Sequence, residues 1–269
     1  MVPTFLFKFV ISKHNGILFQ IPVVRLTKGM LFLPLFGAIF CIVWSIIFDF
    51  ESSTSTHCRV GNYLPSISSA IGGYTPQRYV WRICIALHCS PRFAVTAGYY
   101  TYHTQFHCMI SMYLGINATT FKLLILLLWH RALTLFICLI VFLDAHENSF
   151  ITFMATSELY MLLTCIVFKW GHTNNGRQMS PKVSEKKSYK YKVALFLFNI
   201  GCFFTAIYLY FRHNSYCEPG VYSLFSACEY LTVFSNIAFH ATTIIDFDGT
   251  VNTIAPLEFI EERISKRLH

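Results

Sequence analysis

Long apolar runs separated by short polar segments dominate the chain. A helix that crosses a bilayer needs about 20 mostly apolar residues. Four runs reach that length with few ionisable interruptions: Gly29–Phe48, Ser149–Phe168, Val193–Phe211 and Val221–Ile245. A fifth run, Tyr79–Tyr102, is weaker because three ionisable side chains interrupt it: Arg82, His88 and Arg92. A sixth lies within Met109–Leu143, so the pattern predicts six transmembrane helices.

Basic residues concentrate in two segments next to the predicted helices. The segment before Met30 holds four basic residues and no acidic one, and Lys169–Lys192 holds seven basic residues against Glu185 alone. Basic loops mark the cytosolic side of a membrane protein, and four predicted spans separate these two segments. Both termini are therefore predicted to be cytosolic. The predicted parts are a cytosolic segment at 1–28, a six-helix transmembrane domain at 29–245 and a cytosolic tail at 246–269.

Composition agrees with a membrane protein. Hydrophobic residues make up 55% of the 269 positions and charged residues 13%, whereas a soluble domain carries about 25% charged residues. The net charge of +8 lies mostly in juxtamembrane segments, so topology accounts for it and no nucleic-acid partner is predicted. The predicted fold class is all-α, a polytopic transmembrane helical bundle. The same topology places the glycosylation sequon Asn117–Thr119 on the cytosolic side.

Three polar clusters fall on the non-cytosolic side of this topology: Glu51–Gly73, Asp144–Asn148 and Arg212–Glu218. Each cluster contributes one histidine, and these are His57, His146 and His213. Carboxylate or amide side chains accompany them: Glu51, Asp144, Glu147, Asn148, Asn214 and Glu218. The clusters are interpreted either as a rim that lines a functional site or as hydrated loops with helix caps.

The ten cysteines divide by position. Seven lie inside predicted spans, where cysteine acts as a small apolar residue. Cys58 and Cys217 fall in the first and last non-cytosolic loops, which face an oxidising compartment in a secretory-pathway protein. They are the predicted disulfide pair, and the bond would join the ends of the first and fifth helices.

Ionisable residues inside the spans need a partner or water, because a charge at mid-bilayer costs about 2.5–3.5 kcal/mol. Arg82 and Glu229 both lie in the non-cytosolic half of their helices, and an ion pair between them is predicted. The pair is interpreted either as structural or as part of a site. His240 and Asp246 approach the cytosolic end of the last helix, where we expect them to reach water.

Catalytic motifs are sparse. The sequence contains no G-x-S-x-G, no H-E-x-x-H and no Gly-rich phosphate loop. His213 is followed five residues later by Glu218, a weak match to the arrangement in which some membrane acyltransferases place a carboxylate beside a histidine base. Zinc bound by His57, His146 and His213 is an alternative, although no tight spacing supports it. No cofactor is predicted.

Four blocks of sequence carry a resemblance to a known family: Asn62–Phe93, His146–Phe150, Tyr210–Tyr222 and Glu229–His240. The third reads YFRHNSYCEPGVY and the fourth EYLTVFSNIAFH. The chain resembles the Frag/DRAM-like family of multi-span membrane proteins, and within it the factors that act on GPI anchors after their attachment to protein. The likeness covers Arg25 to Asp246 and departs at Leu114–Asp144, which is longer than the family pattern.

The resemblance implies a role in lipid remodelling of GPI anchors at the Golgi membrane, with the endoplasmic reticulum as a second location. The family member is required when lyso-GPI regains a saturated acyl chain at the glycerol sn-2 position. GPI-anchored proteins and lyso-GPI are therefore the implied partners. Two alternatives stay open. One is a non-catalytic presenter of lyso-GPI to a separate acyltransferase, and the other is a transporter or channel whose ion path is lined by Glu229, Arg82 and Arg92.

If the protein is catalytic, the charged and polar residues named above supply its candidate roles. A histidine would take the proton of the sn-2 hydroxyl, an arginine would hold the inositol phosphate, and an amide would stabilise the oxyanion. The candidate catalytic residues are His213, His57, His146 and the orienting Glu218. The candidate substrate-binding residues are Arg212, Asn214, Arg82, Glu229, Glu147 and Asn148.

Overall fold

The computed structural model describes residues 19–89, 91–92, 95, 146–173, 183–248 and 251–254. In chain order, these residues form a short strand, a series of helices and a second strand. The elements are β1 Phe19–Pro22, α1 Val23–Phe48, α2 Phe50–Thr54, α3 Ile67–Gly72, α4 described over 77–89, α5 His146–Thr173, α6 Val183–Tyr216, α7 Val221–Ala241, α8 Thr243–Asp246 and β2 Val251–Ile254. The predicted span within Met109–Leu143 and the sequon Asn117–Thr119 lie outside the described residues. The six-span count and the cytosolic termini stay predictions.

Two described helices are long and apolar enough to cross a bilayer: Val23–Phe48, which is α1, and Ser184–Tyr216, which is nearly all of α6. α1 ends at the predicted residue, Phe48, but begins before the predicted Gly29. α6 runs past the predicted span at both ends. At its start, the lysine-rich first turns continue the helix because lysine is a good helix former. The described part of the chain is mostly helical, as predicted.

The strands β1 and β2 pair in an antiparallel ladder, with Phe19 opposite Ile254 and Pro22 opposite Val251. The all-α prediction missed this ladder because each strand is four residues long, too short for an alternating pattern to stand out. The pairing places the segment before α1 beside the segment after α8.

The helices α6 and α7 are consecutive and pack along each other more extensively than any other pair of described elements. α7 buries a stripe of small and polar side chains, most of them three residues apart: Ser223, Ser226, Glu229, Thr232, Ser235 and Asn236. In membranes, small side chains let two helix backbones approach closely, and polar ones hydrogen-bond across the contact. Asn199 of α6 does so, because its Nδ2 donates to Thr232 O and to Ser235 Oγ, each at 2.7 Å.

The helices α1 and α4 approach closely at Gly37. A Cβ there would lie 3.2 Å from Cys84 Cβ and 3.2 Å from Trp81 Cε3, so a larger residue would push the helices apart. Gln77, at the start of α4, donates to Asp49 Oδ2 at 2.7 Å just beyond the end of α1. These contacts hold α4 beside α1 and fix the ends of the segment that connects them.

Candidate functional site

A disulfide bond joins Cys58 and Cys217, whose Cα atoms are 5.3 Å apart, and this confirms the predicted pair. Cys217 follows the last residue of α6, has a φ of 50° and donates its N–H to His213 O at 2.9 Å. A left-handed conformation is uncommon for a residue with a side chain, and here it turns the chain from α6 toward α7. Residues 49–66 and 212–223 thus meet at one end of the helices, which we call the disulfide end.

The start of α7 holds the backbone of residues 61–67 in place. The two segments share five hydrogen bonds: Gly220 N–H to Gly61 O (3.1 Å), Tyr63 N–H to Ser223 Oγ (2.7 Å), Ser226 Oγ to Leu64 O (3.2 Å), Tyr230 Oη to Pro65 O (2.5 Å) and Ile67 N–H to Glu229 Oε2 (3.0 Å). Residues three and four apart lie side by side on a helix, so these groups form one face. We call this set of contacts the α7 clamp.

Gly220 is suited to the first position of the α7 clamp. Its φ is 77° and a Cβ there would lie 3.8 Å from the ring of Tyr63. Glycine adopts a positive φ without the steric cost that other residues incur. The turn before α7 therefore brings the Gly220 N–H to Gly61 O.

Glu229 binds the backbone N–H of Ile67 and does not pair with Arg82. The ion pairs between described residues are Lys192–Asp246 and Arg212–Glu218. The predicted Arg82–Glu229 ion pair is therefore wrong. The carboxylate faces the first turn of α3 instead, where N–H groups without a helical partner attract an anionic acceptor. Arg82 lies half-buried on α4.

His213 is the buried centre of the disulfide end. It is 1% exposed, although it belongs to the last turn of α6. Its Nε2 lies 3.1 Å from Thr56 Oγ1, and its ring is edge-on to His57, with 5.8 Å between ring centroids. The ring of Tyr222 packs against it at a centroid distance of 5.1 Å. The structure thus brings two of the three predicted histidines together and adds Thr56 to them.

Thr56 is half-buried in the segment between α2 and α3, and the next residue, His57, is exposed. Asn62 is buried beneath it and donates through Nδ2 to Thr54 O at 3.1 Å and to Thr56 Oγ1 at 3.5 Å. Thr56 is not among the predicted site residues, and it is the last of five consecutive hydroxyl residues, Ser52–Thr56. No sequence signal separates it from the other four.

Glu218 binds Arg212 and does not orient the ring of His213. Its two carboxylate oxygens accept hydrogen bonds from Arg212 Nε at 2.7 Å and from Nη2 at 3.1 Å. These bonds lower the pKa of Glu218 below its ordinary value, because they stabilise the charged carboxylate. The prediction that Glu218 orients His213 is therefore wrong. Arg212 is also already engaged, so an inositol phosphate would have to replace Glu218 there.

The remaining predicted site residues divide into exposed ones and ones whose side chains are not described. Asn214 and Glu51 are both exposed near the disulfide end. Three candidates occupy the first turn of α5, with side chains that lie outside the described residues: His146, Glu147 and Asn148. The predicted zinc set includes one of these three and stays a prediction.

A different group of possible metal ligands appears among the described residues. His57, Cys58 and Cys217 offer ligand atoms that lie within 4.8 Å of one another. The two sulfur atoms are joined in the disulfide, however, and zinc binds the thiolate form of cysteine. This group therefore does not fit a zinc ion.

A second polar cluster lies toward the opposite ends of α1 and α7. Arg92 approaches His88 Nε2 at 3.0 Å and His240 Nε2 at 2.9 Å, and His88 Nδ1 lies 2.6 Å from Met30 O. The ring of His240 stacks on Tyr160 with centroids 5.5 Å apart. The cluster ties α4 to α1, α5 and α7 through residues that are far apart in sequence.

A buried ion pair lies at the same end of the helices. Lys192 Nζ is 2.6 Å from Asp246 Oδ2, and both side chains are 1% exposed. Ser188 Oγ donates to Asp246 Oδ1 at 2.5 Å and accepts from Lys192 Nζ at 2.7 Å. The expectation that Asp246 reaches water is therefore wrong, because α6 extends beyond its apolar segment and covers it.

The two described helices that are long and apolar enough to cross a bilayer indicate a helical membrane protein. The chain belongs to the Frag1/DRAM/Sfk1/Cwh43P family, since the family model described as the Frag1/DRAM/Sfk1/Cwh43P N-terminal domain matches residues 23–250. The family resemblance inferred from the sequence is therefore confirmed.

Relatives of similar length cover most of this chain. A Xenopus tropicalis protein named Acyltransferase PGAP2 is 40% identical over 230 residues, which is 86% of this chain and 89% of the relative. A Drosophila melanogaster protein named Post-GPI attachment to proteins factor 2 is 41% identical over 241 residues, covering 88% and 90%. A Caenorhabditis elegans protein of the same name is 36% identical over 230 residues, covering 81% and 82%. No solved structure matches the chain.

Proposed function

We propose that this protein remodels the lipid of GPI anchors, as the acyltransferase that returns a saturated acyl chain to the sn-2 position of lyso-GPI. The observation that carries the proposal is the 3.1 Å contact between Thr56 Oγ1 and Nε2 of the buried His213, beside the exposed His57. An imidazole within hydrogen-bond distance of a hydroxyl is the arrangement that general-base catalysis needs. The name of the Xenopus relative, an acyltransferase, agrees with that chemistry.

The surroundings of the histidines suit a lipid head group. Exposed aromatic side chains gather at the disulfide end: Tyr63, Tyr208, Phe211 and Tyr216. Tyrosine is enriched where a membrane meets water, which supports placing His57 and His213 at the depth of a glycerol backbone. A disulfide at the same end agrees with a lumenal compartment, and we place the protein in the Golgi membrane with the endoplasmic reticulum as a second location.

The proposed reaction moves an acyl group from a fatty-acyl ester or thioester to the free hydroxyl of lyso-GPI. Over the whole reaction, a new ester C–O bond to lyso-GPI replaces the C–O or C–S bond of the donor. The proton of the hydroxyl passes to a histidine of the disulfide end and then to the leaving alkoxide or thiolate. His57 is exposed and meets the lipid first, whereas the buried His213 acts from behind Thr56.

Lipid mass spectrometry of GPI anchors tests the function. Cells that lack their own relative of this protein would express wild type, His213→Ala, His57→Ala or Ser215→Ala. Ser215 is exposed on the same turn of α6 and serves as the matched control. We expect wild type and Ser215→Ala to restore saturated two-chain anchors, and His213→Ala to leave lyso-GPI although its disulfide and expression are normal. Anchors that remain in the lyso form with well-expressed wild type would reject the proposal.

Purified protein separates an enzyme from a presenter. Wild type in detergent would receive lyso-GPI with palmitoyl-CoA or with dipalmitoyl phosphatidylcholine, and the product would be measured by mass spectrometry. Transfer from either donor supports the acyltransferase. Restoration of anchors in cells without any transfer in detergent favours the non-catalytic presenter, which requires a separate acyltransferase.

A further inference from the structure

The polarity of the hydrogen bonds around Thr56 can be assigned from its neighbours. The Nδ2 of Asn62 is oriented by Thr54 O at 3.1 Å, and its other hydrogen points to Thr56 Oγ1 at 3.5 Å. The hydroxyl oxygen thus accepts from Asn62, and the acceptor within reach of its O–H is Nε2 of His213 at 3.1 Å. With Nε2 as the acceptor, the imidazole proton lies on Nδ1, a buried nitrogen that has no hydrogen-bond partner among the described residues.

Solvent exposure increases from His213 through Thr56 to His57. His213 is 1% exposed, Thr56 is half-buried, and His57 is exposed. A hydroxyl within hydrogen-bond reach of an imidazole is the arrangement of an activated nucleophile. The ring of His213 has no carboxylate partner among the described residues. The nearby carboxylate of Glu218 binds Arg212. Packing against Tyr222 and His57 holds the ring instead.

The backbone around Thr56 is fixed on both sides. Its carbonyl accepts the N–H of Arg59 at 3.0 Å, and the disulfide of Cys58 lies two residues away. The α7 clamp holds residues 61–67, which follow directly. A nucleophile needs this fixed geometry, because small misplacements cost a large part of the rate.

We propose that Thr56 and His213 form a nucleophile–base dyad, and that Thr56 carries the acyl chain as an ester between the donor and lyso-GPI. The proposal rests on the proposed function and adds a covalent intermediate to it. Thr56 is then the catalytic nucleophile and His213 its general base. The sequence alone offered His213 with Glu218, a pairing that the structure replaces.

The two half-reactions balance. First, Thr56 Oγ1 attacks the acyl carbonyl and its proton moves to His213 Nε2. The C–O or C–S bond of the donor breaks, and the leaving lysolipid or thiol takes that proton. Then the sn-2 hydroxyl of lyso-GPI attacks the Thr56 ester and gives its proton to His213. The ester bond to Thr56 breaks, and Thr56 regains its proton from His213.

A covalent intermediate lets the donor and lyso-GPI use the same site in turn. The two lipids therefore need not occupy the disulfide end together. Initial rates measured against both substrates are expected to give the ping-pong pattern that accompanies an acyl-enzyme.

The test uses purified full-length protein and two probes with an alkyne-tagged palmitoyl chain, phosphatidylcholine and palmitoyl-CoA. The variants are Thr56→Ser, Thr56→Val and His213→Ala, with Ser55→Ala as the matched control because Ser55 is an exposed hydroxyl beside Thr56. Protein is denatured after labelling and treated with neutral hydroxylamine. That treatment removes acyl groups from cysteine thioesters and leaves ester-linked chains in place.

We expect hydroxylamine-resistant label on the peptide that contains Thr56 in wild type, Thr56→Ser and Ser55→Ala, and its loss when lyso-GPI is added. Thr56→Val is expected to abolish the label and to lower turnover about 100-fold or more, with the disulfide and the melting temperature retained. His213→Ala is expected to lower the labelling rate to a similar extent.

The possible outcomes distinguish the Thr56–His213 dyad from the proposed acyltransferase function. If Thr56→Val acylates lyso-GPI at the wild-type rate, the dyad is rejected and the acyltransferase function stands. If wild type is labelled at Thr56 but leaves lyso-GPI unchanged, the dyad stands and its acceptor is another molecule. If wild type neither takes the label nor restores anchors in cells, both proposals are rejected.

Discussion

The carboxylate of Glu229 accepts the backbone N–H of Ile67 through Oε2 at 3.0 Å, across 162 positions of the sequence. Glu229 is 8% exposed, and its acidic side chain in an apolar helix suggested an ion path or a substrate contact. The contact gives it a structural role instead, because it satisfies a buried N–H in the first turn of α3. Glu229 thus anchors the far end of the segment that carries Thr56.

Replacing Glu229 is expected to reduce stability before it affects chemistry. Glu229→Ala leaves the Ile67 N–H without its acceptor, at a cost of about 1–3 kcal/mol, whereas Glu229→Gln keeps an oxygen in place and should cost less. Thermal unfolding of detergent-purified protein, followed by size-exclusion fluorescence, measures the difference. Leu231→Ala, on an exposed position of the same helix, is the control. A Glu229→Ala protein as stable as wild type but inactive would instead place Glu229 in the chemistry.

The disulfide is expected to be the strongest single constraint on the disulfide end. It closes a chain segment of 159 residues, and removing a native disulfide costs about 2–5 kcal/mol in small secreted domains. Cys58→Ser, Cys217→Ser and the double variant should therefore lower the melting temperature by the same amount, because each removes the same bond. Cys202→Ser, which alters an unpaired cysteine of α6, should change little. Additive losses from the two single variants would contradict the pairing.

The sequence predicted the disulfide because compartment and loop position leave few cysteines to choose from, and it predicted the end of α1 because Asp49 stops the apolar run at Phe48. Contacts between residues far apart in the chain could not be predicted from the sequence. His213 and Thr56 are 157 positions apart, and only the path of the chain reveals their contact. The same holds for Glu229, whose charge indicated that a partner exists but not that the partner is a backbone N–H.

The α6 extension shows a second limit of hydropathy. The apolar pattern predicts that this helix begins at Val193, whereas in the structure it begins ten residues earlier, at Val183. Lysines form helices as readily as leucines do, so charge ends a membrane span without ending the helix. The buried Lys192–Asp246 pair arises in this extension, where hydropathy alone predicts a solvated loop.

Breaking the Lys192–Asp246 pair from one side is expected to be costly. Lys192→Met removes the ammonium group that lies 2.6 Å from the buried Asp246 carboxylate, and removing one partner of a buried pair costs about 3–5 kcal/mol. The double variant Lys192→Met/Asp246→Leu removes both charges and should recover much of that stability. Detergent melting curves of wild type, Lys192→Met, Asp246→Leu and the double variant give the coupling energy. A double variant less stable than either single one would show that the pair does more than neutralise charge.

The ion pair of Glu218 and Arg212 is expected to make a small, pH-dependent contribution to stability. Hydrogen bonds from Arg212 lower the pKa of Glu218 in the folded protein below its ordinary value of 4.5. A depressed folded pKa stabilises the protein above the unfolded pKa, and the effect is lost as pH falls through the folded pKa. The melting difference between wild type and Glu218→Gln should therefore be constant near neutral pH and shrink below about pH 4.5. A difference that grows on acidification would contradict the pairing.

The β1–β2 ladder constrains the topology of the whole chain. β1 directly precedes α1, and β2 follows α8, so two paired strands must lie on the same side of the membrane. The number of crossings between them is then even, which supports six spans over five or seven.

We expect glycosylation sequons added before Phe19 and after Ile254 to behave alike, and both to stay unmodified if this side is cytosolic. The sequon at Asn117 should stay unmodified as well, while the sequon that Glu51→Asn creates with Ser52 and Ser53, at an exposed position, should accept a glycan. An endoglycosidase-sensitive glycan at one end alone would contradict the β1–β2 pairing. Such a glycan at Asn117 would require a different number of membrane spans before Asn117.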